Sequence, residues 1–266
     1  MTDVAVIIPA RYQSSRYPGK PLALLRGASG IAKPLIQRSW ECATTIADPA
    51  SIWIATDDDR IADTVRTFGG QVVMTAGTCA NGTERCADAI ARLGIDPAVV
   101  VNLQGDAPLT PAHVVTALID ALHSADVAMA TPAIRCAIST YAHLIEDQAQ
   151  GRVGGTTVVF GSDNRALYFS KRVIPHLPPE AAERAFPPVH LHLGVYAYRP
   201  DALRRYVALG VSDIERLEGL EQLRFLDGGM PVGVVPFEPI GWDAIELNNP
   251  TDVAPIEAVL KARGIE

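Results

Sequence analysis

Three cations stand close together near the start of the chain. Arg11, Arg16 and Lys20 are interleaved with Ser14, Ser15 and Gly19. They follow Val4–Ile8, a continuous apolar, mostly β-branched run that reads as a strand buried on both faces. Pro9 has no N–H to give a sheet and stops it. Fixed positive charge and small residues at the mouth of a buried strand make an anion cradle, most simply one for a phosphate chain. Asp106 is the sharpest single residue elsewhere. It follows a second apolar run, Val99–Leu103, and a glycine. A hard carboxylate there suits magnesium bridging substrate phosphates. The competing reading is a turn aspartate ahead of Pro108.

Other strand ends carry polar residues too: Thr56 and Asp57, the Asn81-Gly82-Thr83-Glu84-Arg85 run at a helix start, and Asn102, Gln104 and Gly105. Ligands of open parallel sheets gather at such ends. Two nucleotide motifs are excluded. Gly19-Lys20 is followed by Pro21 where a P-loop needs Ser or Thr, and no GxGxxG follows a strand. His190 and His192 can share one strand face, but no third metal ligand accompanies them, so one histidine lining a polar pocket is the better reading. Glu221-Gln222 interrupts an apolar helical segment, LEGLEQLRFL, where a glutamate is ordinarily solvated. Cys42, Cys79, Cys86 and Cys136 form no CxxC pair and read as reduced thiols.

The elements that must position these residues alternate. Strands are expected at 51–56, 71–75, 99–103 and 126–134, and helices at 57–68, 82–93 and 110–123. This βαβ rhythm predicts an α/β fold with a doubly wound, mainly parallel sheet. From 153 it changes. Strands at 153–160, 166–169 and 190–198 with a proline-crowded loop between them predict a β-rich insert. Helices at 201–208 and 212–226, a strand at 232–235 and a last helix ending near Arg263 follow. Asn249 and Pro250 can open that helix, or it begins nearer Asp252 or Pro255. The 266 residues, 48 % hydrophobic, suffice for one large domain. The net charge of −7 argues against nucleic acid as a partner. No apolar run approaches the ~20 residues of a membrane span, and no signal peptide is evident, so a cytoplasmic protein with no membrane partner is expected.

The segments IIPARYQSSRYPGKPL, ATDD, NGTERCADAI, VNLQGDAPL, ALYFSK, HLGVYAYR and LEGLEQLRFL occur in order over nearly the whole chain. Together they resemble the 3-deoxy-manno-octulosonate (Kdo) cytidylyltransferases, the CMP-Kdo synthetases of lipopolysaccharide biosynthesis. The resemblance implies a nucleotide-diphospho-sugar-transferase-like sheet in a single domain over 1–266. A β-rich insert at about 150–200 would serve acceptor binding and dimerisation. It further implies a cytoplasmic homodimer that uses Mg2+ to transfer CMP from CTP to an acidic acceptor, releasing pyrophosphate. Carried over by motif, Arg11 and Lys20 would hold the triphosphate, and Lys20 would offset charge at the α-phosphoryl group. Ala10 with Gly82, Thr83, Glu84 and Arg85 would frame cytosine and ribose. Gln104 and Asp106 would face the reacting phosphate and metal. Tyr168, Lys171, His192, Tyr196, Glu221 and Gln222, with Gln104, would line the acceptor pocket.

Four positions depart from the family pattern. Ala107 replaces a glutamate in QGDEP. Asn248 replaces the second metal aspartate of VDTPEDL, so one metal site weakens unless Glu246 or Asp243 compensates. Lys171 replaces an arginine and cannot grip a carboxylate in bidentate fashion, though Arg172 is adjacent. A family lysine in VKV is missing from GGTTVV. The nucleotide half is kept better than the acceptor half. The acceptor is then Kdo or a related acid. The alternatives are a phosphonate, activated as its CMP ester in natural-product biosynthesis, or no acceptor at all in an inactive CTP-binding homologue.

Overall fold

A computed structural model describes residues 3–14, 16–239 and 246–266. The chain forms two compact units, residues 1–116 with 242–266 and residues 117–241.

The first unit begins with β1 (Val4–Pro9), whose four central residues are buried. A hairpin of β2 (Leu24–Arg26) and β3 (Ala32–Pro34) leads into α1 (Leu35–Thr44). Then come β4 (Ile52–Thr56), α2 (Asp59–Thr67), β5 (Gln71–Met74), α3 (Gly82–Leu93) and β6 (Val99–Leu103). The strands order as β5-β4-β1-β6 and every pairing among them is parallel. The chain winds outward from β1 through β4 to β5 and then crosses to β6 on the other side. The reversal point, where parallel sheets hold ligands, therefore lies between the ends of β1 and β6. β4 and β6 are buried throughout, which is why their sequences are continuous apolar runs instead of alternations. α4 (Ala112–Ser124) contains the boundary between the units.

The second unit contains β7 (Met129–Arg135), α5 (Ile138–Ala149), the antiparallel hairpin of β8 (Thr157–Phe160) and β9 (Ala166–Ser170), and short α6 (Pro179–Ala182). β10 (His190–His192), β11 (Val195–Tyr198), α7 (Pro200–Ala208), α8 (Asp213–Glu218), α9 (Leu223–Asp227) and β12 (Val232–Phe237) follow. β7 pairs parallel with β12 and antiparallel with β10 and β11. This is the mixed, β-rich region expected. In the first unit, α10 (Val253–Ala262) closes the chain. A 3-10 turn precedes it, with Asn249 and Asp252 in a reciprocal capping box and Pro250 at its start. Ile256 and Leu260, one turn apart, pack with Leu25, Leu35, Leu109 and Leu247.

Four expectations are corrected. The strand expected at 126–134 starts only at Met129, and that expected at 153–160 only at Thr157. The strand expected at 190–198 is two strands. His192 stands opposite Ala133 and Ala197 opposite Ala130, so five residues advance against three on β7 and the ladder must break. The break is at Leu193–Gly194, where Val195 N–H donates to Leu193 O at 2.8 Å. The helix expected at 212–226 is likewise two. Gly219, at φ +60°, turns left-handed and ends α8, so Glu221 and Gln222 lie in the connecting turn and not on a helix face. Helix α5 was not foreseen in the sequence. Its apolar side, around Leu144, packs with Cys136 and Val189.

Candidate active site

In the first unit a cavity of about 260 Å³ opens where β1 and β6 end. Its cationic and acidic lining is Arg11, Arg16, Lys20, Arg85 and Asp106, joined by Ala10, Gln104 and Asn248. Local structure explains the convergence. Ala10 N–H donates to Ala55 O (2.9 Å), carrying the edge of β1 one residue past Pro9. The loop then turns through Gly19, φ +72°, whose N–H donates to Tyr12 O at 2.8 Å. That turn delivers Lys20 to Asp106, and the two form an ion pair in which neither side chain is more than one-fifth exposed. Gly105 lets the β6 loop cross the end of β1. A Cβ there would stand 2.6 Å from Pro9 O.

The helix start behaves as its sequence dictates. Asn81 caps α3 by accepting from Glu84 N–H at 2.8 Å, and Glu84 accepts from Ala80 N–H at 2.7 Å. Gly82 lies against Asn102 and Gln104, whose amide nitrogens would be 3.2 and 3.3 Å from a Cβ. Thr83 is buried on α3 and does not line the cavity. Arg85 is 3 % exposed. It donates to Thr75 Oγ1 (2.6 Å) and lies 3.3 Å from Asp57 Oδ1. This partnership of β4 and β5 ends with α3 was not visible from residue spacing.

The segment bearing Asn248 is tied to the same place, since Leu247 N–H donates to Asp106 O at 2.9 Å. Arg16 Nη2 donates to Asn248 Oδ1 (2.8 Å), and Asn248 Nδ2 donates to Glu246 Oε2 (3.4 Å). Burial first, and then the charge of Asp106, push the Glu246 carboxyl up to about 7. Ser15 and Asp243 lie outside the described residues. All of these donors are oxygens and nitrogens of hard character. One or two carboxylates in a cation-lined cavity fit magnesium, which keeps waters and shares phosphate oxygens instead of demanding a full protein cage. No group of three or more His, Cys, Asp or Glu able to hold a metal occurs among the described residues.

The second unit holds the acceptor candidates. His192 is half-buried against Phe169, with ring centroids 5.1 Å apart, and its Nε2 is 2.9 Å from Thr131 Oγ1. That hydroxyl donates its single proton to Val195 O at 2.9 Å, so His192 serves as the donor through Nε2. Burial pushes its pKa down to about 3, which keeps the ring neutral. Tyr196 lies beside it, centroids 5.6 Å apart, and its hydroxyl reaches Gln222 Oε1 at 3.5 Å. Gln222 is 1 % exposed, yet its Nε2 has no hydrogen-bond acceptor among the described residues. A buried donor left so costs roughly 1–3 kcal/mol. Tyr168, in the middle of β9, and Lys171, just past its end, lie next to Glu218. Burial and then Glu218 raise the Tyr168 phenol pKa. Glu221 is half-buried in the turn, and its backbone oxygen accepts from Tyr206 at 3.3 Å. Glu218 and Thr131, unforeseen in the sequence, show themselves only through these contacts.

A parallel sheet whose reversal point holds a cation-lined cavity is built for an anionic, phosphate-bearing ligand. The comparisons agree. A family model described as Cytidylyltransferase matches residues 5–232. The 3-deoxy-manno-octulosonate cytidylyltransferase of Maricaulis maris is 42 % identical over 98 % of both chains. The 8-amino-3,8-dideoxy-manno-octulosonate cytidylyltransferase of Shewanella halifaxensis is 38 % identical over 97 % of this chain and 98 % of that one. A solved CMP:2-keto-3-deoxy-manno-octonic acid synthetase, complexed with CTP, superposes with TM-score 0.83 at 31 % identity, covering 98 % of this chain and all of the other. The chain belongs to the cytidylyltransferase family.

Proposed function

We propose that this enzyme transfers CMP from CTP to Kdo or a closely related acidic sugar, releasing pyrophosphate. The cavity carries the reading: Arg11, Arg16, Lys20 and Arg85 surround it at the switch point of the parallel sheet. A triphosphate needs that density of positive charge and little acid–base machinery. The acceptor oxygen forms a bond to the α-phosphorus as the bond to the β-phosphate oxygen breaks. The hydroxyl proton is lost and pyrophosphate leaves. Arg11 and Lys20 hold the triphosphate, and Lys20 offsets charge growing on the α-phosphoryl oxygens. Asp106 would hold magnesium, which when bound neutralises phosphate charge; Gln104 and Asp106 also fix the position of the reacting group.

The names of the relatives support the sugar-acid acceptor. So does Gln222, whose buried donor and neighbouring Tyr196 and His192 suit a polyhydroxylated ligand. A cytoplasmic homodimer belongs to the same reading. It is tested with purified protein, CTP and Mg2+ against a panel of Kdo, 8-amino-Kdo, other ulosonates and small phosphonates. Release of pyrophosphate with an octulosonate supports it. Reaction with phosphonates alone overturns the acceptor, and CTP binding without release from any acceptor marks an inactive homologue.

A further inference from the structure

Lys171 sits just past the end of β9, half-buried, in a place built to hold it. Its backbone N–H donates to Glu218 Oε2 at 2.9 Å. The other oxygen of the same carboxylate accepts from Ser170 Oγ at 2.7 Å and is 3.5 Å from the Tyr168 hydroxyl. One side chain at the end of α8 thus contacts Tyr168, Ser170 and Lys171, in and just after β9. Glu218 is half-buried, so these contacts are only partly screened by water. The next residue contributes as well. Gly219 has φ +60°, and a Cβ on it would lie 2.7 Å from Lys171 Nζ. A glycine ends α8 in that conformation without strain, whereas a Cβ there would only displace the flexible end of the lysine. Lys171 Nζ makes no hydrogen bond or ion pair with a described residue, so its charge is available to a ligand.

We infer that Glu218 and Gly219 form a bracket that positions Lys171, together with Tyr168, as the cation for the carboxylate of the sugar-acid acceptor. This rests on the cytidylyltransferase reading and deepens it. A lysine is a single flexible point charge, without the rigid fork of an arginine. Glu218 fixes the backbone from which the lysine reaches out, and Gly219 ends the helix that presents Glu218. Glu218 is a positioning residue here, because it acts through Lys171 and Tyr168 and needs no contact with the acceptor.

Initial rates with CTP, Mg2+ and Kdo test it on the full chain and on Lys171→Ala, Glu218→Ala, Gly219→Ala and the Lys171→Ala/Glu218→Ala pair. Each single variant is expected to raise the acceptor KM about 10-fold while the CTP KM stays within about 2-fold. The double variant is expected to be little worse than Lys171→Ala, because the two residues act as one unit. A Glu218→Ala protein that raises both KM values alike, or leaves the acceptor KM unchanged while Lys171→Ala raises it, overturns the bracket alone. If Glu218→Ala does not fold, Gly219→Ala, which leaves the Glu218 carboxylate in place, decides by the same split. An unchanged acceptor KM in Lys171→Ala overturns the role of the lysine with the enzyme intact. No turnover by the unaltered chain overturns the underlying reading as well.

Discussion

Asp106 concentrates the chemistry at the residue scale. It lines the cavity, pairs with Lys20 and shares its backbone oxygen with Leu247. Asp106→Asn keeps the shape and removes the charge. Magnesium-dependent turnover should fall by at least about 100-fold, with thermal unfolding of the protein little changed. Near-normal rates would refute its metal role. His192 makes a different prediction, on stability. Folded, it stays neutral down to about 3; unfolded, it takes a proton below 6.5. Between those values the unfolded chain binds more protons, so stability rises with pH and is lost as pH falls from 6.5 toward 3. The full effect is roughly 5 kcal/mol. His190, lowered by burial and then by Arg135, acts in the same direction. Denaturant midpoints measured across that window should flatten in His192→Gln. An equally steep curve in the variant contradicts the assignment. Arg11, Lys20 and Asp106 were legible because charge stood at the ends of apolar runs. Glu218 was not, since an isolated helical glutamate carries no sign of what it will bond.

Elements position these residues through two kinds of device, close backbone approach and buried charge. At Gly105 the β6 loop passes so near Pro9 O that Ala would force the backbone apart. Gly105→Ala should cost at least about 2 kcal/mol by chemical denaturation and weaken CTP binding with it. Behind the turn that carries Glu221 and Gln222, Arg224 makes a bidentate pair with Glu215, both contacts at 2.7 Å, and lies 4.1 Å over the Tyr206 ring. The two side chains are 3 % and 8 % exposed. Removing one partner leaves a buried charge, so Arg224→Ala should destabilise by about 3–5 kcal/mol. A loss below about 1 kcal/mol would show that water reaches the pair. The strands β1, β4 and β6 of the first unit could be read from the sequence because each buried run had one meaning, while the short, partly exposed β2–β3 hairpin could not. The second unit hid more. The break at Leu193–Gly194 is set by pairing with β7, and the break at Gly219 by a backbone conformation, neither of which hydrophobic periodicity records.

At the scale of the whole molecule, the proposed nucleotide residues, with Asn248 from the C-terminal segment and Gln104, belong to the first unit, and the other proposed acceptor residues, Tyr168, Lys171, His192, Tyr196, Glu221 and Gln222, to the second. The departures from family pattern in ALYFSK and GGTTVV fall in the second, which is the unit a change of acceptor would alter. No helix among the described residues is long and apolar enough to cross a membrane. The α/β class followed from the rhythm of elements. The two-unit division did not, because the first unit is completed by a segment more than a hundred residues away in sequence. The central claim is that the basic cavity and Asp106 serve cytidylyl transfer. Phosphorus NMR of one reaction containing the protein, CTP, Mg2+ and Kdo tests it most directly. The account predicts pyrophosphate and a CMP ester of the sugar acid appearing in equal amounts as CTP disappears. Unconsumed CTP, or CDP with inorganic phosphate in their place, would contradict it.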